Sequence, residues 1–165
     1  MKNESVRTDK DIVETINQYS NSLFKVALSY TQDKATAEDV VQDVLIKYIT
    51  EAKEFTSEEH KKAWLLRVTI NECKKLFRSK WSTRKVTLED IYTFEEPDKH
   101  EVFYAVMDLP VNYRVVIHLY YYENMAVRDI GNILKLNENT VTSRLHRGRK
   151  LLKKVLEVEY EFIKV

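Results

Sequence analysis

"NENTVTSRLHRGRKLLKK", Asn137 to Lys154, is the stretch on which the reading of the whole chain turns. Val141, Leu145, Gly148 and Leu152 recur at i, i+4, i+7 and i+11, which is one narrow side of an α-helix. Opposite that strip fall Asn139, Thr140, Ser143, His146, Arg147 and Lys150, flanked by Thr142, Arg144 and Arg149. An amide and short hydroxyls at the leading end of a helix can approach base edges closely. The longer cations behind them reach phosphates, which set affinity and its salt dependence. Just upstream, "AVRDIGNILKLNENTV" has helix-turn-helix form. Ile130 and Leu134 are expected to pack inward, and Gly131 lets two helices cross closely. Leu136 and Val141 close the corner. The pattern predicts a helix that reads DNA; a bundle helix with a solvated basic face is the alternative.

The remainder of the chain bears on that choice. Its 165 residues suit one ordinary domain or two small ones. With 44% hydrophobic and 32% charged residues, the chain is globular rather than disordered. Two Gly and two Pro leave too few chain breakers for a many-turned β protein, so an all-α fold is expected. Cys73 is the single cysteine, which excludes an internal disulfide and fits a reducing, cytoplasmic location. The first twenty residues are too polar for a signal peptide, and "VVIHLYYY" (Val115–Tyr122) is too short to span a bilayer. His60, His100, His118 and His146 are scattered without metal-ligand spacing, and no glycine-rich phosphate loop occurs. Neither a metal, nor another cofactor, nor enzymatic chemistry is expected.

Net charge is +1, yet its distribution is uneven. Lys and Arg stand 7 against 10 Asp and Glu in residues 1–55, then 9 against 3 in residues 56–85. They fall to 2 against 8 in residues 86–124 and return to 9 against 5 in residues 125–165. Two basic blocks flank an acidic one, which gives a polyanion two places to bind. Charged helical proteins with no such ligand show similar swings, so charge alone leaves both readings open.

Helical periodicity predicts three helices in the first half, over residues 11–32, 35–52 and 58–79. Thr36 with Asp39, and Thr56 with Glu59, are read as N-terminal capping pairs for the second and third. The third helix has an apolar stripe, Leu66, Ile70, Cys73 and Phe77, expected to face a core. Away from it run Arg67, Asn71, Lys74 and Arg78, with Lys75 beside them. One neutral amide among cations suits phosphate contact plus a base contact, and Trp64, Phe77 and Trp81 offer aromatic surface nearby. On the second helix Glu38, Asp39, Gln42, Asp43 and Ile46 make an acidic face with an aliphatic residue, which suits a basic partner protein. A merely solvated face is the alternative for each.

Periodicity lapses after residue 80, where "TFEEPDK" reads as part of a flexible linker. The expected organisation is a helical domain over 1–80, a linker over 81–99 and a second helical domain over 100–165. Leu109–Pro110 punctuates the second domain. Residues 111–123 fit either a strand or a buried helix, and their helical surroundings favour the helix.

Three motifs together resemble the bacterial RNA polymerase sigma factors of the extracytoplasmic-function class, the compact form with regions 2 and 4 only. In "ATAEDVVQDVLIKYI", Ala37, Glu38, Asp39, Val40, Val41 and Gln42 match the family's region 2 helix, with Asp43 where Glu is usual. The resemblance implies that Glu38, Asp39, Gln42 and Asp43 bind core polymerase at the clamp helices of its largest subunit. In "AWLLRVTINECKKLFR", Trp64, Leu65, Arg67, Val68 and Asn71 match the promoter-melting signature. It implies that Asn71 lines a pocket for a base drawn from the minus-ten element. Phe55 lies where the preceding loop often carries an aromatic, and the basic stripe of Arg67, Lys74, Lys75 and Arg78 is expected to contact phosphates. The stretch from Ala105 to Lys154 resembles region 4, which reads the minus-thirty-five element and meets the polymerase flap. There Thr140, Ser143, Arg144 and Arg147 match the family, and with Asn139, Thr142, His146 and Lys150 on the outward face they are the expected DNA contacts. Thr142 stands where the family commonly has Lys or Arg, Gly131 and Gly148 where Ala is usual, and Lys135 at a turn position often Gly. The acidic linker residues Glu89, Asp90, Glu95, Glu96 and Asp98 are expected to mimic a nucleic-acid backbone inside polymerase. Such factors are usually restrained by an anti-sigma factor, often membrane-bound. A stand-alone helix-turn-helix regulator is the competing reading, and the region 2 motifs speak against it.

Overall fold

A computed structural model of the chain describes residues 7–79 and 100–163, with side chains for 7–77 and 102–157. The chain divides into two compact units, Met1–Arg84 and Lys85–Val165, and the described secondary structure is all helical. The predicted linker lies outside the described residues.

The first unit is a three-helix cluster of α1 (Asp9–Thr31), α2 (Lys34–Thr50) and α3 (Glu58–Ser79). Thr8 caps α1, its hydroxyl accepting from the Asp11 N–H at 3.2 Å, and Asp9 and Asp11 complement the positive end of the helix dipole. Gln32 ends α1 in the left-handed region at φ 50°, and its N–H returns to the Leu28 carbonyl. Asp33 then caps α2, its carboxylate accepting from the Thr36 N–H at 3.1 Å. Thr36 is thus the residue being capped; the expected Thr36–Asp39 pair is displaced because an aspartate three residues earlier is the stronger acceptor. The cap of α3 also shifts by one residue. Ser57 Oγ accepts from the His60 N–H at 3.1 Å, while Thr56 faces the His60 ring. Glu59 takes no part in the reciprocal pair expected with Thr56.

Leu23, Val26, Ala27, Val40, Val44, Leu65, Leu66 and Ile70 fill the core between these helices. Full burial of each large aliphatic side chain contributes about 1.5–3 kcal/mol. Cys73 is buried with them, and burial pushes its thiol up to about 12, which leaves it inert. Phe77 departs from the expected stripe and stands 38% exposed, in a turn where Lys75 and Leu76 are exposed too, so the buried stripe ends at Cys73.

The second unit comprises α4 (His100–Met107), α5 (Val111–Ile117), α6 (Val127–Leu134) and α7 (Glu138–Ile163). The ambiguous tyrosine-rich run is helical: α5 continues into one π-helical turn, His118–Tyr122. Arg114 is buried and bridges the break before α5. Its guanidinium donates to the carbonyls of Met107 and Leu109, at 3.3 and 3.0 Å, at the end of α4 and in the turn that follows it.

The corner between α6 and α7 is built from small and permissive positions. Lys135 ends α6 in the left-handed region at φ 57°, strained for a residue with a side chain. A Cβ added at Gly131 would lie 2.7 Å from the Leu136 carbonyl oxygen, so only glycine lets the turn fold back this closely. Gly148 serves the same end on the other side. A Cβ there would meet Ile117 Cδ1 at 2.6 Å and Tyr113 Cβ at 3.2 Å, which seats α7 directly on α5.

Candidate polymerase and nucleic-acid interfaces

Three surfaces carry the residues singled out in the sequence. On α2, Val40, Val41, Val44 and Tyr48 turn inward, which leaves Glu38, Asp39, Gln42 and Asp43 exposed on one side. Ile46 adjoins them and is 56% exposed, an aliphatic residue with no core to join. The arrangement offers a basic protein surface both charge and an apolar anchor.

On α3, Arg67 and Lys75 are exposed, while Asn71 and Lys74 are half-buried. The Arg78 side chain and Trp81 lie outside the described residues. Glu72, overlooked in the sequence, sits inside this basic stripe and pairs with Lys75 at 3.2 Å and with Lys47 of α2. The Lys47 hydrogen bond holds the Glu72 carboxyl below the usual carboxylate range. Lys75 is thereby paired, while Arg67 stands exposed on the same stripe. Trp64 is not available for stacking on bases. It is buried, with Phe55 5.6 Å from it edge-on and Tyr48 6.4 Å away.

Phe55 lies in the loop between α2 and α3, half-buried, stacked on Tyr48 at 6.1 Å and edge-on to His60 at 5.4 Å. A cleft of 660 Å³ opens beside it, lined among others by Arg7, Asp11, Tyr48, Ser57 and Lys61. A polar network underlies this cleft. The Tyr48 hydroxyl donates to Asp11 at 2.5 Å and accepts from Thr15 at 3.2 Å, and Lys61 donates to Asp11 at 3.2 Å. The Tyr48 hydrogen bond, helped by Lys61, holds the Asp11 carboxyl below its ordinary value. Lys61 is raised by its bonds to Asp11 and Tyr48, although burial, the largest single influence, works the other way. These partners are separated by 33 to 50 residues, so no spacing in the sequence announced them.

On α7, Val141, Leu145 and Gly148 are buried as expected, and Leu152 is half-buried. Asn139, Thr142, Ser143, His146, Arg147 and Lys150 are exposed, and Thr140 and Arg144 are half-buried. Asn137 begins the helix: its side-chain oxygen accepts from the Thr140 N–H at 2.8 Å and from the Thr140 hydroxyl at 2.9 Å. Thr140 therefore has its proton committed to the cap and retains only acceptor capacity toward a base. Arg149 turns to the rings of Tyr120 and Tyr121, 5.7 Å from each centroid. Around it α4, the π turn and α7 enclose an apolar groove of 520 Å³, walled by Val102, Ile117, Tyr122, Leu152 and Leu156.

Among known proteins, the model for sigma-70 region 2 matches residues 15–83 and that for sigma-70 region 4 matches residues 100–152. The RNA polymerase sigma factor SigV of Bacillus subtilis (strain 168) is 26% identical over 150 residues, covering 86% of this chain and 89% of that protein. The ECF RNA polymerase sigma factor SigM of the same organism is 28% identical over 157 residues, covering 86% and 93%. The sigma factor RpoE from Bartonella quintana, solved in complex with the anti-sigma factor NepR, superposes with a TM-score of 0.71. That match covers 90% of this chain and 98% of that one, at 24% sequence identity. CnrH, solved with the cytosolic domain of CnrY, gives a TM-score of 0.68 at 20% identity, over 92% of this chain and 90% of that one. Region 2 and region 4 thus fall on the two compact units, one on each, and this chain belongs to the sigma-70 family as one of its extracytoplasmic-function members, a polymerase specificity factor rather than an enzyme.

Proposed function

We propose that this chain binds core RNA polymerase through the exposed α2 face and directs it to promoters read at two places. Glu38, Asp39, Gln42 and Asp43 meet the clamp helices of the largest subunit, with Ile46 as the apolar anchor. Asn71 and Phe55 hold an unpaired minus-ten base, while Arg67, Lys74, Lys75 and Arg78 follow the strand's phosphates. In the second unit, which meets the flap, α7 enters the major groove at the minus-thirty-five element. Asn139, Thr142 and Ser143 reach base edges, Thr140 acts as an acceptor, and Arg144, His146, Arg147 and Lys150 contact bases and phosphates. The acidic segment between the units occupies polymerase's basic channel. A restraining anti-sigma partner fits the complex in which RpoE was solved. The chain works in the cytoplasm; among the described residues no helix is long and apolar enough to cross a membrane.

One observation carries this reading: a region 2 match and a region 4 match lie on separate compact units of the same chain. A stand-alone regulator has use for the second unit only. Run-off transcription with core polymerase on a promoter library tests it. Asn71→Ala is expected to abolish melting while core binding persists. Arg147→Ala is expected to weaken duplex binding and to reduce the salt slope by about 1. Tight sequence-specific binding without polymerase, and no stimulation of core enzyme, would sink the proposal.

A further inference from the structure

Arg7 precedes α1, in a polar stretch to which the sequence attached no role. It reaches across the unit to the far end of α2. Its Nε donates to the Tyr48 carbonyl at 2.6 Å and its Nη2 to the Lys53 carbonyl at 2.6 Å. Tyr48 O lies in the last turn of α2, among carbonyls that the helix cannot satisfy itself, at the negative end of its dipole. Lys53 O belongs to the loop that carries Phe55. One rigid fork therefore ties the end of the helix to the loop that follows it, over 41 and 46 residues of chain. The same guanidinium covers two rings, 4.0 Å from the Tyr48 centroid and 5.2 Å from that of Phe55. Below, the Tyr48 ring is held at its hydroxyl by Asp11 and Thr15. Phe55 rests on a ring fixed from beneath and is clamped from the side.

We infer that Arg7 is a positioning residue for the minus-ten contact: it sets the Phe55 loop in its base-binding arrangement before DNA arrives. The inference rests on the assignment of Phe55 made above. An ordered loop loses less entropy on gripping a strand, so affinity for the unpaired base depends on the clamp, whose two hydrogen bonds are both to this chain's own carbonyls. Lysine keeps the charge but lacks the planar fork that meets two carbonyls at once, so it is a poor substitute.

The test uses holoenzyme assembled from core polymerase and the full chain, as wild type, Arg7→Ala, Arg7→Lys, Phe55→Ala and Val44→Ala. Val44 is fully buried in the same unit and makes none of the contacts of the Arg7–Tyr48–Phe55 clamp, so it controls for lost stability. The measurements are affinity for single-stranded non-template minus-ten DNA, affinity for a duplex minus-thirty-five fragment, and amide exchange across residues 51–57. Arg7→Ala is expected to weaken single-strand binding about tenfold, roughly the contribution of one charge-assisted bond, and to leave duplex binding unchanged. Arg7→Lys is expected to behave more like Arg7→Ala than like wild type, and Val44→Ala to bind normally where it is folded. Loop amides exchange faster in Arg7→Ala while those of α1 do not. Unchanged single-strand affinity in Arg7→Ala, an equal loss in Val44→Ala, or unaltered loop exchange overturns the inference. Phe55→Ala binding as tightly as wild type removes the minus-ten reading of Phe55 itself. Phe55→Ala impaired with Arg7→Ala intact removes the Arg7 inference alone.

Discussion

The two units hold their candidate surfaces by opposite means. In the first, the Phe55 loop is fixed by side chains that arrive from distant helices: Arg7 and Asp11 from the start of the chain, Tyr48 from α2, Lys61 from α3. In the second, α7 is set by neighbours in sequence. Asn137 caps Thr140, Lys135 turns the chain, and Gly131 lies under Leu136. A surface built from distant parts depends on the whole unit being folded, and one built locally depends on a few backbone positions. Perturbations of the core and of the turn are therefore expected to act differently on the two.

The largest effect is expected from Leu66→Ala. Leu66 is fully buried, and the cavity costs the first unit about 2–5 kcal/mol. Amide exchange should rise throughout α1 to α3, including the Phe55 loop, while α6 and α7 keep their protection. Loss of protection in both units would break the distinction. Next comes Gly148→Ala, whose added methyl strikes Ile117 and Tyr113 and costs about 1–3 kcal/mol. Denaturant unfolding of the second unit reports it, and an unchanged midpoint would mean that α7 is not seated as tightly as described. Lys135→Gly should go the other way. It relieves a left-handed residue and stabilises the second unit by about 1 kcal/mol, seen as a raised melting temperature.

The smallest effect is a pH dependence of the first unit. Asp11 and Glu72 have lowered folded-state values, so their contributions are present above the ordinary carboxylate range and are lost as pH falls through the lowered values. Tyr19, raised to about 12 by burial and its bond to Glu58, contributes below pH 10 and loses that contribution as pH climbs toward 12. Chemical denaturation of Asp11→Asn should show a flatter acid limb than wild type. An identical limb would remove the Asp11–Tyr48–Lys61 network from the account of stability.

The same contrast explains what the sequence disclosed. The buried strip of α7, its outward face and the corner glycine are local and spacing exposes them, and the resemblance marked Lys135 at a turn position often Gly. The acidic face of α2 was legible for the same reason. The resemblance placed Phe55 and Asn71, but the cleft beside Phe55 was not legible. Its makers lie up to 50 residues apart and include an arginine outside any periodic element. Errors arose where periodicity was extended too far or a cap was chosen by motif. Phe77 continued a stripe beyond the core that the stripe served. Trp64 was counted as open aromatic surface, although Tyr48 and Phe55 enclose it. Asp33 and Ser57 took the capping roles because acceptors nearer the true helix start reach the free N–H groups first.

The 26 residues of α7 form a rod roughly 39 Å long. Gly148 lies near its middle, pressed on α5. The forward arm carries Ser143 and Arg147, while the rear arm carries Leu152 and Leu156 and forms a wall of the apolar groove. A helix of this kind tilts as one body. Both arms belong to one continuous helix, so a substitution that shifts α7 at Gly148 displaces the groove wall and the exposed face of Ser143 and Arg147 together.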